Sequence, residues 1–161
     1  MIAAFVLAAA SATMSPQPSP SPSPVPANAA VIVNSGSTNA RGYRIVVTPD
    51  KHAVVTIDGL PPRAQTLDAA TSTALFKALA AGAPLDALES EPCMKSASFG
   101  STMTVTYDGK RSPDLSCPME GAGAKIGAAV QKVTEALHVL APGRTLRRTM
   151  SQPQQPEPEA T

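Results

Sequence analysis

The sequence predicts an α+β fold: a two-layer sandwich in which an antiparallel sheet of about four to five strands carries two helices on one face. Two observations predict it. Short apolar runs of alternating polarity are joined by turn sequences, which is the pattern of hairpins. Two longer segments carry apolar residues at helical spacing. Two amphipathic helices are enough to cover one face of such a sheet and close a core.

The first half of the chain contains the clearest predicted hairpin. Residues 30–33 read AVIV and form a short strand candidate. Residues 42–48 and 53–58 then alternate apolar and polar positions. The intervening sequence TPDK has turn chemistry, because proline fixes φ and aspartate bonds to its own backbone. These residues therefore predict two paired strands.

Two segments have helical spacing. The first covers 67–81, with Thr66 as a possible cap and Gly82 ending it. The second covers 122–141, ended by Pro142-Gly143, and its apolar stripe consists of Ile126, Val130, Val133, Leu137 and Leu140. Both segments are long enough for three or more helical turns, so we expect them to cover the sheet.

Another hairpin is predicted between the two helices. Residues 99–107 alternate strongly and end at Asp108-Gly109, a strong hairpin turn signal. The returning strand, residues 110–116, contains Pro113, and proline is confined to edge strands or loops because it cannot donate to the ladder. We therefore expect this strand at a sheet edge.

Both ends differ in composition from this single predicted α+β domain, residues 29–149. Residues 1–14 resemble a signal peptide, with an apolar run and the small-x-small sequence Ala10-Ser11-Ala12, although no Lys or Arg precedes Arg41. A Pro/Ser-rich linker at 15–28 and a disordered Pro/Gln-rich tail at 150–161 follow from composition. The sequence predicts an exported protein, periplasmic or secreted; the alternative is a cytosolic protein with an apolar stub.

Charge and hydropathy exclude two classes of partner. The 161 residues carry a net charge of +1 and only 16% charged residues, which argues against nucleic-acid binding. No apolar run approaches the ~20 residues of a membrane-spanning helix, so no span is expected in the mature chain. The remaining expectation is an unidentified protein or envelope partner.

The two cysteines, Cys93 and Cys117, bracket the second predicted hairpin. In an exported protein a disulfide between them is the favoured interpretation. A metal site and a catalytic thiol are the alternatives, but each needs a histidine, and His52 and His138 are remote in sequence. We expect no metal and no cofactor.

Catalytic signals are weak throughout the sequence. Neither a G-x-S-x-G elbow nor an S-x-x-K motif is present. The glycines at 121–127 resemble a dinucleotide-binding loop only faintly, because the third glycine comes one place late. The main hypothesis is therefore a binding or structural module rather than an enzyme; an enzyme of unknown class is an alternative.

The polar segments beside the two cysteines supply the candidate interaction loop. Its proposed residues are Met94, Lys95, Ser96, Ser98, Phe99, Ser112 and Asp114. With KSASFGS at 95–101 and SPDLSCP at 112–118, the chain resembles a loose group of exported bacterial proteins of unknown activity. That resemblance covers about residues 42–118 and implies no catalytic residues.

A second resemblance is to the subtilisin-inhibitor-like family of secreted protease inhibitors. The residues that carry it are Ala74–Gly82, Leu85–Leu88, Cys93-Met94-Lys95, Gly109-Lys110-Arg111 and Cys117. It implies that Met94 or Lys95 is offered to a protease pocket on a loop held by the disulfide. The chain lacks the family's other disulfide and its aromatic-rich strand, and it has an additional C-terminal helix. Protease inhibition is thus the alternative function.

Overall fold

The computed structural model of the chain describes residues 24–96, 98 and 100–139. The helices and strands of these ranges are β1 (Ala30–Asn34), β2 (Tyr43–Val47), β3 (His52–Ile57), β4 (Arg63–Thr66), α1 (Ala69–Ala81), β5 (Met103–Tyr107), β6 (Lys110–Arg111) and α2 (Gly121–Ala136), with a 3₁₀ turn at Leu85–Ala87. The predicted leader at 1–14, the first part of the linker and the tail at 150–161 lie outside the described residues.

The strands form one antiparallel sheet in the order β4-β3-β2-β1-β5-β6. The first four strands follow one another as a meander, and α1 then returns the chain across the sheet to β5, which pairs with the other edge of β1. The predicted α+β class is confirmed. The described part of the chain has six strands, slightly more than the four to five expected.

The additional strand is β4, whose sequence RAQT has no apolar alternation. It pairs with β3 from His52 opposite Thr66 to Val55 opposite Arg63. Backbone hydrogen bonding to a neighbouring strand creates this element, so a search for alternating polarity could not detect it.

The core lies between the sheet and the two helices, which pack against each other. Alternate residues of β2, such as Ile45 and Val47, are fully buried. They belong to one cluster with Leu79 of α1 and with Ile126 and Val130 of α2. This single cluster places both helices on the same face of the sheet.

The β5–β6 hairpin turns where the sequence predicted. Asp108 and Gly109 both have positive φ values, 49° and 69°, as a tight hairpin turn requires. The strands are shorter than expected: β5 begins at Met103 and β6 ends at Arg111. After Arg111, the Ser112 hydroxyl accepts a hydrogen bond from the Val105 N–H at 3.0 Å, so a side chain replaces the next backbone acceptor.

Both helices differ from the prediction at one end. Asp68, rather than Thr66, caps α1: its carboxylate accepts from the Thr71 N–H, while Thr66 is the last residue of β4. The prediction that α2 continues beyond Ala136 is wrong for the described residues, because His138 adopts a φ of 51° that ends the helix. Its predicted end at 141 lies outside them.

Candidate functional site

A disulfide joins the loop before β5 to the loop after β6, confirming the predicted pairing of Cys93 with Cys117. The two Cα atoms are 5.5 Å apart, and the cysteines are 24 positions apart in sequence. The closed loop contains the whole β5–β6 hairpin. The disulfide therefore holds both polar segments against one edge of the sheet.

Asp114 lies at the centre of these segments. Its Oδ1 accepts hydrogen bonds from the backbone N–H of Met103 at 2.9 Å and of Ser116 at 3.0 Å. Its Oδ2 forms an ion pair with the Lys95 ammonium and lies 3.9 Å from Cys117 Sγ. One carboxylate thus links β5, the loop after β6 and the loop before β5.

Lys95 completes this cluster from the other side of the disulfide. Its Nζ donates to the Ser101 carbonyl and to the Ser116 hydroxyl, both at 2.6 Å. The Ser116 hydroxyl in turn lies 2.6 Å from Asp114 Oδ1. We call these four residues, Lys95, Ser101, Asp114 and Ser116, the Asp114 clamp. Only 22% of the side-chain surface of Lys95 and of Asp114 is exposed, so the pair is partly shielded from water.

The pKa of Asp114 follows from these contacts. Burial raises it, but hydrogen bonds from Lys95, Ser116 and the Met103 backbone outweigh burial and lower the pKa from 3.8 to about 2. The carboxylate therefore remains charged at all ordinary pH values.

A lysine beside a serine is also the arrangement of some hydrolases, in which neutral lysine removes the serine proton. Here the Lys95 ammonium is paired with a charged carboxylate and donates to Ser116. An ammonium has no lone pair with which to accept a proton. The Lys95 ammonium and the Asp114 carboxylate therefore hold the two loops together.

The structure separates the predicted interaction residues into different environments. Met94 is fully exposed, at 103% of its reference area. Ser96 and Ser98 are exposed and linked by a 3.3 Å hydrogen bond from the Ser98 N–H to the Ser96 hydroxyl. Ser112 is buried, with only 5% of its surface exposed, and its hydroxyl accepts a hydrogen bond from β5. Phe99 lies outside the described residues.

Lys95 and Asp114 were predicted as members of an interaction loop, and the structure pairs them with each other. Ser101 and Ser116 are not among the predicted interaction residues, although both bond to Lys95. Their only sequence signal is their position in the two polar segments next to the cysteines. Nothing in the spacing shows that Lys95 meets Asp114 across the disulfide.

The histidines do not join this site as a metal centre. His52 begins β3 on the exposed surface, with its Nε2 3.8 Å from Asp50 Oδ2. His138 follows the end of α2. Among residues 24–96, 98 and 100–139, no group of three or more His, Cys, Asp or Glu residues could hold a metal ion.

Within the part of the chain that the structure describes, no helix has the length and apolar character needed to cross a bilayer.

Comparisons with known proteins add no assignment. Searches against protein-family models, curated proteins and solved structures found no match.

Proposed function

We propose that this chain is an exported, non-catalytic binding module that presents residues 92–96, the Met94 loop, to a protein partner. The observation that supports it is the position of Met94, which is fully exposed between the disulfide-bonded Cys93 and the clamped Lys95. A large apolar side chain that is fully exposed to water, and whose two neighbouring residues are held in place, is a suitable anchor for a complementary pocket.

The rigidity of the Met94 loop favours a binding role over chance exposure of the methionine. A loop that is ordered before association loses less conformational entropy when it docks. Here the disulfide and the Asp114 clamp restrain the backbone immediately before and after Met94. The methionine side chain itself keeps three rotatable bonds and adapts to the partner surface.

Export is the second part of the proposal. The disulfide supports it, because such bonds persist in oxidising compartments and are rare in the cytosol. The signal-peptide-like residues 1–14 point in the same direction. We expect the natural product, recovered from an exported fraction, to have lost residues 1–12 and to accept thiol alkylation only after reduction. An uncleaved cytosolic chain with two free thiols would contradict export.

The binding proposal is tested by Met94→Asp in the full-length protein. The matched control is Leu60→Asp, because Leu60 is another exposed apolar side chain, at 48%, in a different loop. Immobilised wild-type protein and Leu60→Asp should retain the same partner from an extracellular or envelope fraction. Met94→Asp should retain at least ten times less of it. Equal retention by all three proteins would refute a role for the Met94 loop.

Protease inhibition is the second candidate, and the same exposed Met94 favours it. Of the two residues that the family resemblance offers to a protease, Lys95 has its ammonium inside the clamp, while Met94 is free to enter a pocket. We therefore expect inhibition of serine proteases with large apolar pockets, at one inhibitor per enzyme. Cleavage after Met94 with full retention of protease activity would count against it.

A further inference from the structure

Met94 is the most exposed of the three methionines that the structure describes, and water surrounds its whole side chain. Met103 is half-buried and packs against the hydrophobic core. Met119 is also half-buried, and its methyl group lies over Gly123 of α2. Oxidation of a thioether requires the oxidant to reach the sulfur atom, so exposure ranks these three side chains. Met94 is therefore the one that an oxidant reaches first.

The cysteines do not compete with Met94 for an oxidant. Thiolates are normally the first sulfur groups of a protein to be oxidised. The chain has two cysteines, and both belong to the Cys93–Cys117 disulfide. Because their sulfur atoms are already oxidised, a thioether is the next susceptible sulfur group. Full exposure then selects Met94.

The groups that hold the Met94 loop are not targets of the same oxidant. The disulfide fixes one side of the loop, and the Asp114 clamp fixes the other with lysine, serine and aspartate side chains. None of these groups is a thiolate or a thioether, the two kinds of side chain at which protein oxidation begins. Oxidation of Met94 therefore changes the exposed side chain and leaves its support in place.

We propose that Met94 is an oxidation site at which hydrogen peroxide reversibly switches off binding by the Met94 loop; the binding part rests on the function proposed above. The sulfur atom attacks one peroxide oxygen, so that an S–O bond forms and the O–O bond breaks. Sulfur loses two electrons, the peroxide is reduced, and its other oxygen leaves as water with both protons. Methionine sulfoxide reductases return the product to methionine.

Oxidation removes the property that makes Met94 an anchor. An apolar pocket that receives the thioether would have to bury the sulfoxide oxygen without a hydrogen bond, which is unfavourable. We expect binding to weaken by about tenfold or more. The same change at Met103 would disturb the core instead, so effects of oxidation on the loop and on stability can be separated.

The first experiment measures the modification itself, in folded full-length protein treated with hydrogen peroxide. Peptide mass spectrometry follows the gain of one oxygen atom at each methionine over time. Met94 should be oxidised about ten times faster than Met103 and Met119, because its sulfur is already exposed. In urea-unfolded protein the three rates should converge, which controls for intrinsic reactivity. Equal rates in folded protein would overturn the assignment of the site.

The second experiment measures the apolar character of the loop without a partner. Oxidised and untreated proteins are compared by their retention on a phenyl resin at high ammonium sulfate concentration. Wild-type protein should elute earlier after oxidation, and methionine sulfoxide reductases should restore its retention. Met94→Leu is the matched control, because leucine is apolar and is not oxidised, while the other methionines react as in wild type. An equal loss of retention in both proteins would contradict a switch at Met94.

The third experiment connects the switch to the proposed function. In the assay with an extracellular or envelope fraction, oxidised wild-type protein should retain about tenfold less partner, whereas oxidised Met94→Leu should retain as much as its untreated form. Unchanged retention after full conversion of Met94 to the sulfoxide would refute the switch and leave binding by the loop intact. Equal retention by untreated wild type and Met94→Asp would refute the proposed function and with it the switch. The oxidation rates would still decide whether Met94 is a modification site.

Discussion

Replacing Asp114 by asparagine keeps the shape of the side chain and removes its charge, so the variant isolates the electrostatic part of the Asp114 clamp. The pKa of this carboxyl falls from 3.8 to about 2 on folding. At about 1.4 kcal/mol for each tenfold change in the dissociation constant, the charged form stabilises the fold by roughly 2 kcal/mol. We expect Asp114→Asn to lose about that amount at pH 7.

The pH dependence gives a sharper test than the loss alone. A group whose pKa is lower in the folded state contributes stability above its unfolded value, and this contribution disappears as pH falls through the folded value. The wild-type advantage over Asp114→Asn should therefore be complete at pH 5 and should shrink between pH 4 and pH 2. Urea unfolding of both proteins at pH 7, 5, 3 and 2 measures it.

An exposed ion pair provides the matched control. Asp86 bonds to Lys110 at 2.9 Å, but both side chains are about half exposed, so solvent screens the pair. Asp86→Asn should change the free energy of unfolding far less than Asp114→Asn. Equal losses of stability in the two variants would contradict this role of the Asp114 charge, as would a difference between wild type and Asp114→Asn that is the same at pH 2 as at pH 7.

Three further predictions concern stability and are measured by urea unfolding at pH 7. The double variant Cys93→Ser/Cys117→Ser should lose about 3 kcal/mol, because the unfolded chain regains the freedom of the closed loop; an unchanged transition midpoint would contradict this. Tyr43→Phe should gain up to about 1 kcal/mol, because Tyr43 is buried and its hydroxyl makes no hydrogen bond of normal geometry; a loss of stability would show that the interaction of this hydroxyl with the Asn34 side chain is a stabilising hydrogen bond. Ile126→Ala should lose about 3 kcal/mol, since Ile126 is fully buried between the helices and the sheet; a loss below about 1 kcal/mol would mean that the core closes over the cavity.

Most of the strands could be predicted because the sequence patterns that specify them involve only neighbouring residues. Alternation in β2 and β3 and the Asp108-Gly109 turn each depend on a few neighbouring residues. β4 could not be predicted in this way, since its polar residues are held by the backbone of β3. The same strand explains the error at the start of α1: Thr66 pairs with His52 in the sheet, leaving Asp68 to cap the helix.

The site could be predicted only in part. The cysteine pairing was available because two cysteines allow one intramolecular bond, and the neighbouring polar segments marked Lys95 and Asp114. Their mutual contact depends on the register of β5 and on the path of the loop after β6, which are long-range properties.

The order of strands in the sheet also determines when each strand acquires its neighbours. Because the chain is synthesised from its N-terminus, β1 to β4 can pair as soon as they have been made. The second edge of β1 acquires its partner only after β5 has been made. Two side-chain hydrogen bonds across this gap, Asn34 to Ser101 and Thr102 to Ser35, each join residues 67 positions apart. Such distant pairing slows folding, and until it forms β1 exposes an unpaired apolar edge to other chains. The nascent protein is therefore most prone to aggregation during the interval in which α1 exists and β5 does not.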